Sequence, residues 1–379
     1  MRITPYSIAI GEEILDDLHG RLVRTRWPDE VSGAGWDYGS NLAYMKDLID
    51  YWRDTFNWRT QEKAINGFSH FRADVDGFGI HFIREQGKGK NPLPLVLLHG
   101  WPGSFLLMLR IIPMLTDPER FGGDAEDSFE VIVPSLPGYG FSDRPTERGM
   151  HVAKTADLFV RLIHEGLGIH RFGIRATDLG SGVAMIMANR VPPAVVGLHT
   201  SGAMPPIFGM PGDLTEAEKS YLKSAMEFQQ QEGAYSMIQA TKPQTLAYGL
   251  NDSPAGLAAW LVEKFRSWSD CRGDVETRFS KDELLTMVTL YWATETINSS
   301  IRMYYESTHN LDLSLFRRVE IPTAQAMPPR GLGVSPREWE ERYANIRRWT
   351  MLPRGGHFTD WEEPALITED MREFFRPFR

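Results

Sequence analysis

A chain of 379 residues is long enough for two domains, or for one large domain with an insertion, at about 150 residues per domain. Its net charge of −9 disfavours nucleic acid and anionic membrane surfaces as partners, and its single cysteine, Cys271, excludes an intrachain disulfide framework and any multi-cysteine metal site. No stretch approaches the roughly 20 apolar residues of a membrane span, and no signal-peptide core follows Met1, so the expected compartment is the cytoplasm.

The first seventy residues predict a helical, loop-rich arm outside the core of the protein. Apolar residues recur at helical spacing over 12–24 and again from Leu42 to Trp52, and a glycine-rich segment between them indicates loops. Large aromatic residues usually anchor packing. The tryptophans of this segment, which are Trp27, Trp36, Trp52 and Trp58, therefore indicate an arm wrapped on a larger body.

Beyond the arm, strands and helices alternate. A hairpin is predicted to turn at Asp76-Gly77, and the continuous apolar runs that follow are typical of strands buried on both faces. These predicted strands lie at 93–98, 129–134, 172–174 and 197–199. The alternation predicts an α/β protein with a mostly parallel, doubly wound sheet, in which functional groups lie at the C-terminal ends of the strands.

After Pro205-Pro206 the pattern becomes helical, and no strand-like run interrupts it before about residue 315. The predicted helices are 216–231, 253–268 and 280–305, which together form an insertion placed to cover the sheet as a lid. Strands resume at 319–326 and 346–351, and a final helix spans 367–375. The predicted boundaries are 1–70 for the arm, 71–207 and 316–379 for the two parts of the core, and 208–315 for the lid.

The most informative turn is the segment 175–182 (RATDLGSG), which joins a strand to a helix with Asp178 at its apex. Ala176 and Gly180 are small, and this spacing is typical of a nucleophile elbow, where a strained turn lifts one side chain above the sheet. A carboxylate there can attack a saturated carbon and form an alkyl-enzyme ester that water then cleaves. From this turn alone, an aspartate that caps the following helix is an equally good interpretation.

Several further segments resemble one family over nearly the whole chain. They are 24–28 (RTRWP) and 76–82 in the arm region, 99–104 (HGWPGS), 134–142, 251–259 in the lid, and 355–358 (GGHF) followed by Glu362-Glu363-Pro364. The sequence resembles the microsomal-type epoxide hydrolases of the α/β-hydrolase superfamily, which include the juvenile hormone epoxide hydrolases. The resemblance implies an α/β-hydrolase fold with an N-terminal arm and an all-helical lid. Mammalian members begin with a membrane anchor that this sequence does not show, so a soluble protein is expected.

The resemblance implies that an apolar epoxide, a small molecule, is hydrolysed without cofactor or metal. Asp178 is then the nucleophile, and His357, which follows paired glycines past the last predicted strand, is the base that activates water. A histidine satisfied at the surface is the alternative for His357. Backbone N–H groups of Trp101 and Leu179 are the expected oxyanion-hole donors. Family members usually carry Trp at the position of Leu179, and we expect that difference to change the shape of the pocket more than the chemistry.

Epoxide opening also needs a weak acid for the departing oxygen, and the family uses two lid tyrosines. Tyr235 and Tyr304 match their positions. Each has an alternative interpretation as an amphipathic core tyrosine. Tyr305 is a neighbouring rival, but adjacent helical residues do not face the same pocket.

The third member of the catalytic triad is where the resemblance fails. The family carries its acid nine residues after the proline that corresponds to Pro322, and a gapless count reaches Gly331 in a segment without any acid. The nearest acids in sequence are Glu320, Glu338 and Asp360. Glu320 and Glu338 have no obvious path to His357, and Asp360 could reach it only if the intervening turn folds back. The triad acid is therefore left unassigned.

Two alternatives to an epoxide hydrolase follow. The missing acid is compatible with a catalytically weak member that binds or rearranges an epoxide-like metabolite without hydrolysis. A haloalkane dehalogenase would share Asp178 and His357, but it needs a pair of N–H side chains to bind halide, and the tyrosine pair argues against it.

Overall fold

The computed structural model describes residues 1–202 and 211–379, and within these ranges nine strands form a single sheet. They are β1 (Arg2–Tyr6), β2 (His70–Val75), β3 (Phe78–Glu85), β4 (Leu93–Leu98), β5 (Phe129–Pro134), β6 (Phe172–Thr177), β7 (Val195–Ser201), β8 (Val319–Met327) and β9 (Ala344–Met351). Their order across the sheet is β1-β2-β3-β5-β4-β6-β7-β8-β9. The strands β1 to β3 and the β3–β5 pair are antiparallel, and all other neighbours are parallel, which confirms the mostly parallel sheet.

The described helices surround this sheet or lie between β7 and β8. They are α1 (Glu12–Val23), α2 (Leu42–Asp54), α3 (Trp58–Ile65), α4 (Ile112–Thr116), α5 (Val152–Arg161), α6 (Leu179–Arg190), α7 (Glu216–Glu232), α8 (Ala234–Thr241), α9 (Pro243–Leu250), α10 (Pro254–Trp268), α11 (Lys281–Thr294), α12 (Thr296–His309), α13 (Arg337–Glu341), α14 (Thr359–Glu362) and α15 (Pro364–Phe375). In the part of the chain that the structure describes, no helix has the length and apolar character that a membrane crossing requires.

Helices pack against the central strands and explain why those strands are continuously apolar. Contacts join α4 to β5, α6 to both β4 and β6, and α15 to both β7 and β8. The residues Leu95 and Leu98 of β4 are fully buried as a result. The predicted hairpin is also confirmed, because Asp76 and Gly77 both adopt positive φ, at 56° and 78°, between β2 and β3.

The prediction for the arm missed a strand at its beginning. Residues Arg2–Tyr6 pair antiparallel with β2 and form one edge of the sheet, so the arm is part of the core sheet as well as a helical wrap. The strand contains a proline, Pro5, which is tolerated at an edge because one side of the strand needs no hydrogen-bond donors. A short helix, α3, was also missed. It begins at Trp58, directly after Asn57, whose side chain caps it by accepting the N–H of Thr60.

The prediction of one long helix over 280–305 is wrong. The chain breaks between α11 and α12 at Glu295, which adopts φ 52° and ψ 34° in the left-handed region. No glycine or proline marks this position, so propensity gave no warning. The Glu295 carboxylate pairs with Arg144 of the core at 2.7 Å, a tertiary contact at the break itself.

We call the helical segment between β7 and β8 the lid, and the structure describes it from residue 211 to residue 315. Hydrogen bonds connect the lid to the arm. Arg21 of α1 donates hydrogen bonds to the carbonyl and the carboxylate of Asp252, at 2.7 and 2.6 Å. Ser40 donates to the carbonyl of Ala259 in α10 at 2.8 Å. The predicted entry into the lid at Pro205-Pro206 lies outside the described residues, and the predicted domain boundaries stay a prediction.

Candidate active site

The strand β6 ends one residue before Asp178, and α6 begins one residue after it. Asp178 adopts φ 50° and ψ −132°, a conformation that costs free energy for any residue other than glycine. The turn is close to the neighbouring strand, because a Cβ on Gly180 would lie 2.6 Å from the carbonyl oxygen of Leu98. A small residue is therefore required there, as the elbow spacing predicts.

The carboxylate of Asp178 is held from one side by the loop after β4. Its Oδ1 accepts the backbone N–H of Trp101 at 2.9 Å. A Cβ on Gly100 would lie 2.1 Å from the same oxygen, so only glycine permits this approach. Leu179 occupies the first position of α6, where a backbone N–H has no partner within the helix. Of the two predicted oxyanion donors, the N–H of Trp101 contacts the carboxylate, and the role of the Leu179 N–H stays a prediction.

His357 faces the other oxygen of the same carboxylate. Its Nε2 lies 3.5 Å from Oδ2 of Asp178, and both side chains are partly buried. The backbone N–H of His357 donates to the carbonyl of Trp268 at 2.8 Å, and the Trp268 ring meets the imidazole edge-on with centroids 5.3 Å apart. A lid residue therefore positions the imidazole.

A buried carboxylate fixes the backbone on both sides of His357. Glu362 accepts the N–H groups of Gly356 and Phe358, each at 3.0 Å, and that of Asp270 at 2.8 Å. Burial raises the pKa of Glu362, and the three N–H donors oppose that shift. Sequence reasoning placed Glu362 in a matching segment but gave it no role, because contacts to backbone groups leave no pattern in side-chain spacing.

Two lid phenols lie in the same cavity as the carboxylate and the imidazole. Tyr235 comes from α8 and Tyr304 from α12, and their ring centroids are 6.1 Å apart. Trp101 stacks on Tyr235 at 5.3 Å and meets Tyr304 edge-on at 6.1 Å. The rival Tyr305 stacks instead on His309 at 4.1 Å and does not line the cavity.

Both phenols are held in the protonated form. Burial raises the pKa of Tyr235, and the negative charge of Asp178 raises it further. Burial also raises the pKa of Tyr304, together with the neighbouring Tyr235 and the charge of Asp178. Because a protonated phenol is a hydrogen-bond donor of modest acidity, the pair suits an oxygen that develops negative charge.

The cavity that contains these groups has a volume of about 580 Å³ and a predominantly apolar wall. Its apolar lining is Val152, Leu179, Met185, Leu311, Phe316, Pro328 and Leu332. Among the described residues, its lining includes no Trp, Asn or Gln side chain, which are the halide donors that a dehalogenase needs. Within the described ranges, no cluster of three or more His, Cys, Asp or Glu side chains is arranged to hold a metal ion.

The structure places Gly331 beside the loop of His357. The preceding residue, Arg330, forms a parallel β-bridge with Gly356 and donates its N–H to the carbonyl of Gly355 at 3.1 Å. Gly331 itself lines the cavity with His357. The gapless count along the sequence therefore ends at a position that faces the active site, and this position carries no side chain.

The three acids considered from the sequence have other partners. Glu320 is exposed and pairs with Arg318, and Glu338 accepts the hydroxyl of Thr215 at 3.2 Å. Asp360 is buried in a bidentate pair with Arg175, at 3.0 and 2.9 Å.

Among the described residues, no side chain forms a hydrogen bond with Nδ1 of His357. Residues 203–210, which lie outside the described ranges, contain neither Asp nor Glu. The triad acid therefore stays unassigned.

Comparisons with known proteins identify relatives of this chain. A family model described as "Epoxide hydrolase N terminus" matches residues 3–108, and one described as "alpha/beta hydrolase fold" matches residues 94–251. A protein named putative epoxide hydrolase from Stigmatella aurantiaca is 41% identical over 383 residues, covering 100% of this chain and 86% of its own. Epoxide hydrolase 1 of Sus scrofa is 36% identical, covering 98% of this chain and 88% of its own. The crystal structure of juvenile hormone epoxide hydrolase from the silkworm Bombyx mori superimposes with a TM-score of 0.91 at 30% identity, covering 100% of this chain and 95% of that one.

Proposed function

The chain belongs to the epoxide hydrolase family with the α/β-hydrolase fold, and we propose that it converts an apolar epoxide to a vicinal diol in two chemical steps. One observation carries the proposal: a single carboxylate, that of Asp178, has an N–H donor on one oxygen and the imidazole of His357 on the other, and two phenols share its cavity. A carboxylate, a base and two weak acids are the groups that ring opening and ester hydrolysis require.

The first step is alkylation of the enzyme. A carboxylate oxygen of Asp178 attacks one epoxide carbon, the bond between that carbon and the ring oxygen breaks, and the oxygen leaves as an alkoxide. Tyr235 and Tyr304 donate hydrogen bonds to that oxygen, and one of them transfers its proton to it. The product is a hydroxyalkyl ester of Asp178, and no base is needed because the nucleophile is already ionised.

The second step is hydrolysis of this ester. His357 takes a proton from water, and the resulting hydroxide attacks the ester carbonyl of Asp178. The N–H groups of Trp101 and Leu179 stabilise the negative charge of the tetrahedral intermediate. The carbonyl–oxygen bond to the alkyl group then breaks, and the diol leaves with a proton returned from the imidazolium. The regenerated Asp178 carboxyl group holds the second proton of the water, and it passes this proton to the tyrosinate, which restores both groups for the next turnover.

The substrate is a bulky apolar epoxide. The cavity of about 580 Å³ lies within the usual range for small-molecule sites, and its wall is mostly hydrocarbon. Relatives named epoxide hydrolases favour this reaction over binding without hydrolysis, and the lining disfavours a dehalogenase. The cytoplasm stays the expected compartment of the protein.

The decisive experiment is a single turnover in water enriched in heavy oxygen, with the enzyme in excess over a small epoxide. The diol of this turnover should contain unlabelled oxygen, because its new oxygen comes from the Asp178 carboxylate. Under multiple turnover the same enzyme should release labelled diol, since hydrolysis places solvent oxygen in the carboxylate, and this serves as the control. Solvent label in the first-turnover diol would instead mean direct attack by water on the epoxide.

A further inference from the structure

A buried cation lies against the ring of Tyr235. Lys264 belongs to α10, and its ammonium Nζ is 5.4 Å from the Tyr235 ring centroid and 5.6 Å from that of Trp268. The side chain of Lys264 is only 9% exposed. Its carboxylate partners are Glu232, at 3.1 Å, and Glu263, at 2.5 Å. The reaction as derived above does not use this lysine.

The ammonium of Lys264 interacts electrostatically with the π face of the Tyr235 ring. A cation over an aromatic ring is attracted by the negative charge of that face, and the attraction grows when the pair is desolvated. If negative charge develops on the phenol oxygen and spreads into the ring, the attraction grows again. Trp101 is also stacked on the Tyr235 ring, which keeps it out of water.

The carboxylate of Glu232 acts in the opposite sense. Burial and the charge of Asp178 raise the pKa of Tyr235, and Glu232 adds to that rise. Glu232 also accepts the indole N–H of Trp268 at 3.4 Å. Lys264 thus contacts both the ring of Tyr235 and the carboxylate of Glu232. The negative charge of Glu232 opposes the loss of the Tyr235 proton, and the positive charge of Lys264 favours it.

We propose that Lys264 is a positioning residue for ring opening, which stabilises the negative charge that Tyr235 gains as its hydroxyl donates to the departing epoxide oxygen. This inference rests on the proposed function. The proton moves from the Tyr235 oxygen to the alkoxide, and the charge left on the phenol faces the ammonium group. Ester hydrolysis uses His357 and the oxyanion donors, so Lys264 should act on the first step alone.

The test compares four variants by rapid-quench single turnover, with separate rates for formation and hydrolysis of the Asp178 ester. Lys264→Met removes the charge and should slow ester formation about 5- to 30-fold, with ester hydrolysis unchanged. Lys264→Arg keeps a cation and should recover most of the rate. Glu232→Gln keeps an acceptor for Trp268 but removes the opposing charge, so ester formation should be as fast as in the wild type or faster.

Lys281→Met is the matched control. Lys281 also lies over a tyrosine, Tyr51, with Nζ 5.5 Å from the ring centroid, and it pairs with Asp47. None of these three residues lines the cavity, so both rates should equal those of the wild type.

A second measurement is made without substrate. A fluorinated tyrosine at position 235 has a lower pKa than tyrosine, which brings its titration into range of fluorine NMR. Lys264→Met should raise the pKa of this group, Glu232→Gln should lower it, and Lys281→Met should leave it unchanged. A purely structural role for Lys264 would not move the pKa in opposite directions in the first two variants.

Two results would overturn the inference: equal slowing of ester formation and ester hydrolysis in Lys264→Met, or an unchanged pKa at position 235. Failure of the proposed function looks different. In that case no Asp178 ester forms even in the wild type, while the substrate-free titration still reports whether Lys264 acts on Tyr235.

Discussion

At the scale of single residues, the two chemical steps depend on different groups. Attack by Asp178 needs no base, whereas hydrolysis of its ester needs an imidazole with a fixed tautomer and orientation. In Ser/His/Asp enzymes the triad acid fixes both the tautomer and the orientation of the imidazole, and loss of this acid lowers the rate by up to about 10⁴. Here the position beside the loop of His357 is Gly331, and Glu362 holds only the backbone on either side of the imidazole. The second step should therefore be the slow one.

We expect the wild-type enzyme to show a stoichiometric burst of epoxide consumption followed by slow turnover. The variant Gly331→Glu should raise the steady-state rate roughly 10-fold or more, while the rate of the burst stays nearly constant. The backbone permits this change, because Gly331 is not among the residues with positive φ. A Cβ there would meet its closest atom, Cγ of Pro328, at 3.3 Å. The burst is measured by rapid quench, and the Asp178 ester by mass spectrometry of the intact protein.

Gly331→Gln has nearly the same size without the charge and is the matched control, so it should leave turnover slow. If the wild type shows no burst and a folded Gly331→Glu variant is no faster, His357 has another orienting group.

The paired phenols lead to a prediction about the first step. Tyr235→Phe and Tyr304→Phe each remove a donor that strengthens as the alkoxide develops, so each should slow alkylation roughly 10- to 1000-fold, by analogy with lost oxyanion donors. The remaining phenol partly replaces the lost one, so the double variant should be far slower than either. Tyr305→Phe is the control, because that ring stacks on His309 outside the cavity. An active double variant would contradict the assignment of both tyrosines.

Sequence reasoning located the reactive groups better than the contacts that support them. Asp178 and His357 follow from a turn motif and a glycine pair, and Gly331 from a count along the chain. Glu362 and Lys264 had no such signal, because their partners are backbone N–H groups and a ring face that only the folded chain brings near.

At the scale of elements, a buried charge network joins β6 to the segment that follows His357. Arg175 of β6 forms its bidentate pair with Asp360 and lies 3.1 Å from Nδ1 of His199. His199 in turn bonds Asp370 at 2.9 Å, and Asp370 accepts from Arg348 at 2.7 Å. Arg175 lies three residues before Asp178 and Asp360 three residues after His357, so their pair ties together the two segments that carry the nucleophile and the base.

Asp360→Asn should lower the free energy of unfolding by roughly 3–5 kcal/mol, because it leaves the buried guanidinium of Arg175 without its counter-charge. The measurement is urea denaturation followed by tryptophan fluorescence. Asp213→Asn is the control, since Asp213 is 83% exposed in its pair with Arg342, and it should change stability by about 0.5 kcal/mol or less. Replacing both members, as in Arg175→Met with Asp360→Leu, should cost less than Asp360→Asn alone, and a larger loss would contradict this explanation.

Contacts between elements explain why some helices and strands were mispredicted from the sequence. The central strands are covered on both faces and read as continuous apolar runs, so sequence periodicity found them. The edge strand Arg2–Tyr6 is short and half exposed, with the burial of its residues set by pairing with β2. The break at Glu295 rests on a pair with Arg144, which is distant in sequence. Both depend on tertiary contacts that local propensity does not contain.

At the scale of the whole molecule, several histidines are buried in the neutral form. Burial lowers the pKa of His99 to about 4 and that of His81 well below its ordinary value of 6.5, and it also lowers the pKa of His199. His99 accepts the backbone N–H of Leu136 at 3.3 Å, and this contact braces the loop of the oxyanion hole. Because the folded chain keeps these imidazoles neutral, their protonation favours the unfolded chain.

The sign of this competition follows from linkage. Well above pH 6.5 the histidines are neutral in both the folded and the unfolded chain, so their effect on stability is constant. Below that pH the unfolded chain takes up protons that the folded chain cannot bind, and the free energy of unfolding falls with falling pH. For His99 the fall continues until the pH reaches its folded pKa of about 4.

We therefore expect His99 to lower the free energy of unfolding by about 1.4 kcal/mol per pH unit as the pH falls from 6 to 5, measured by urea denaturation across a pH series. His99→Asn should make this slope shallower by about that amount, whatever its effect on stability at neutral pH. His19→Asn, at an exposed position of α1, should leave the slope unchanged. If the free energy of unfolding has the same dependence on pH in the wild type and in His99→Asn, then His99 accepts its proton in the folded state. In acid the loop of the oxyanion hole would then carry a positive charge beside Asp178.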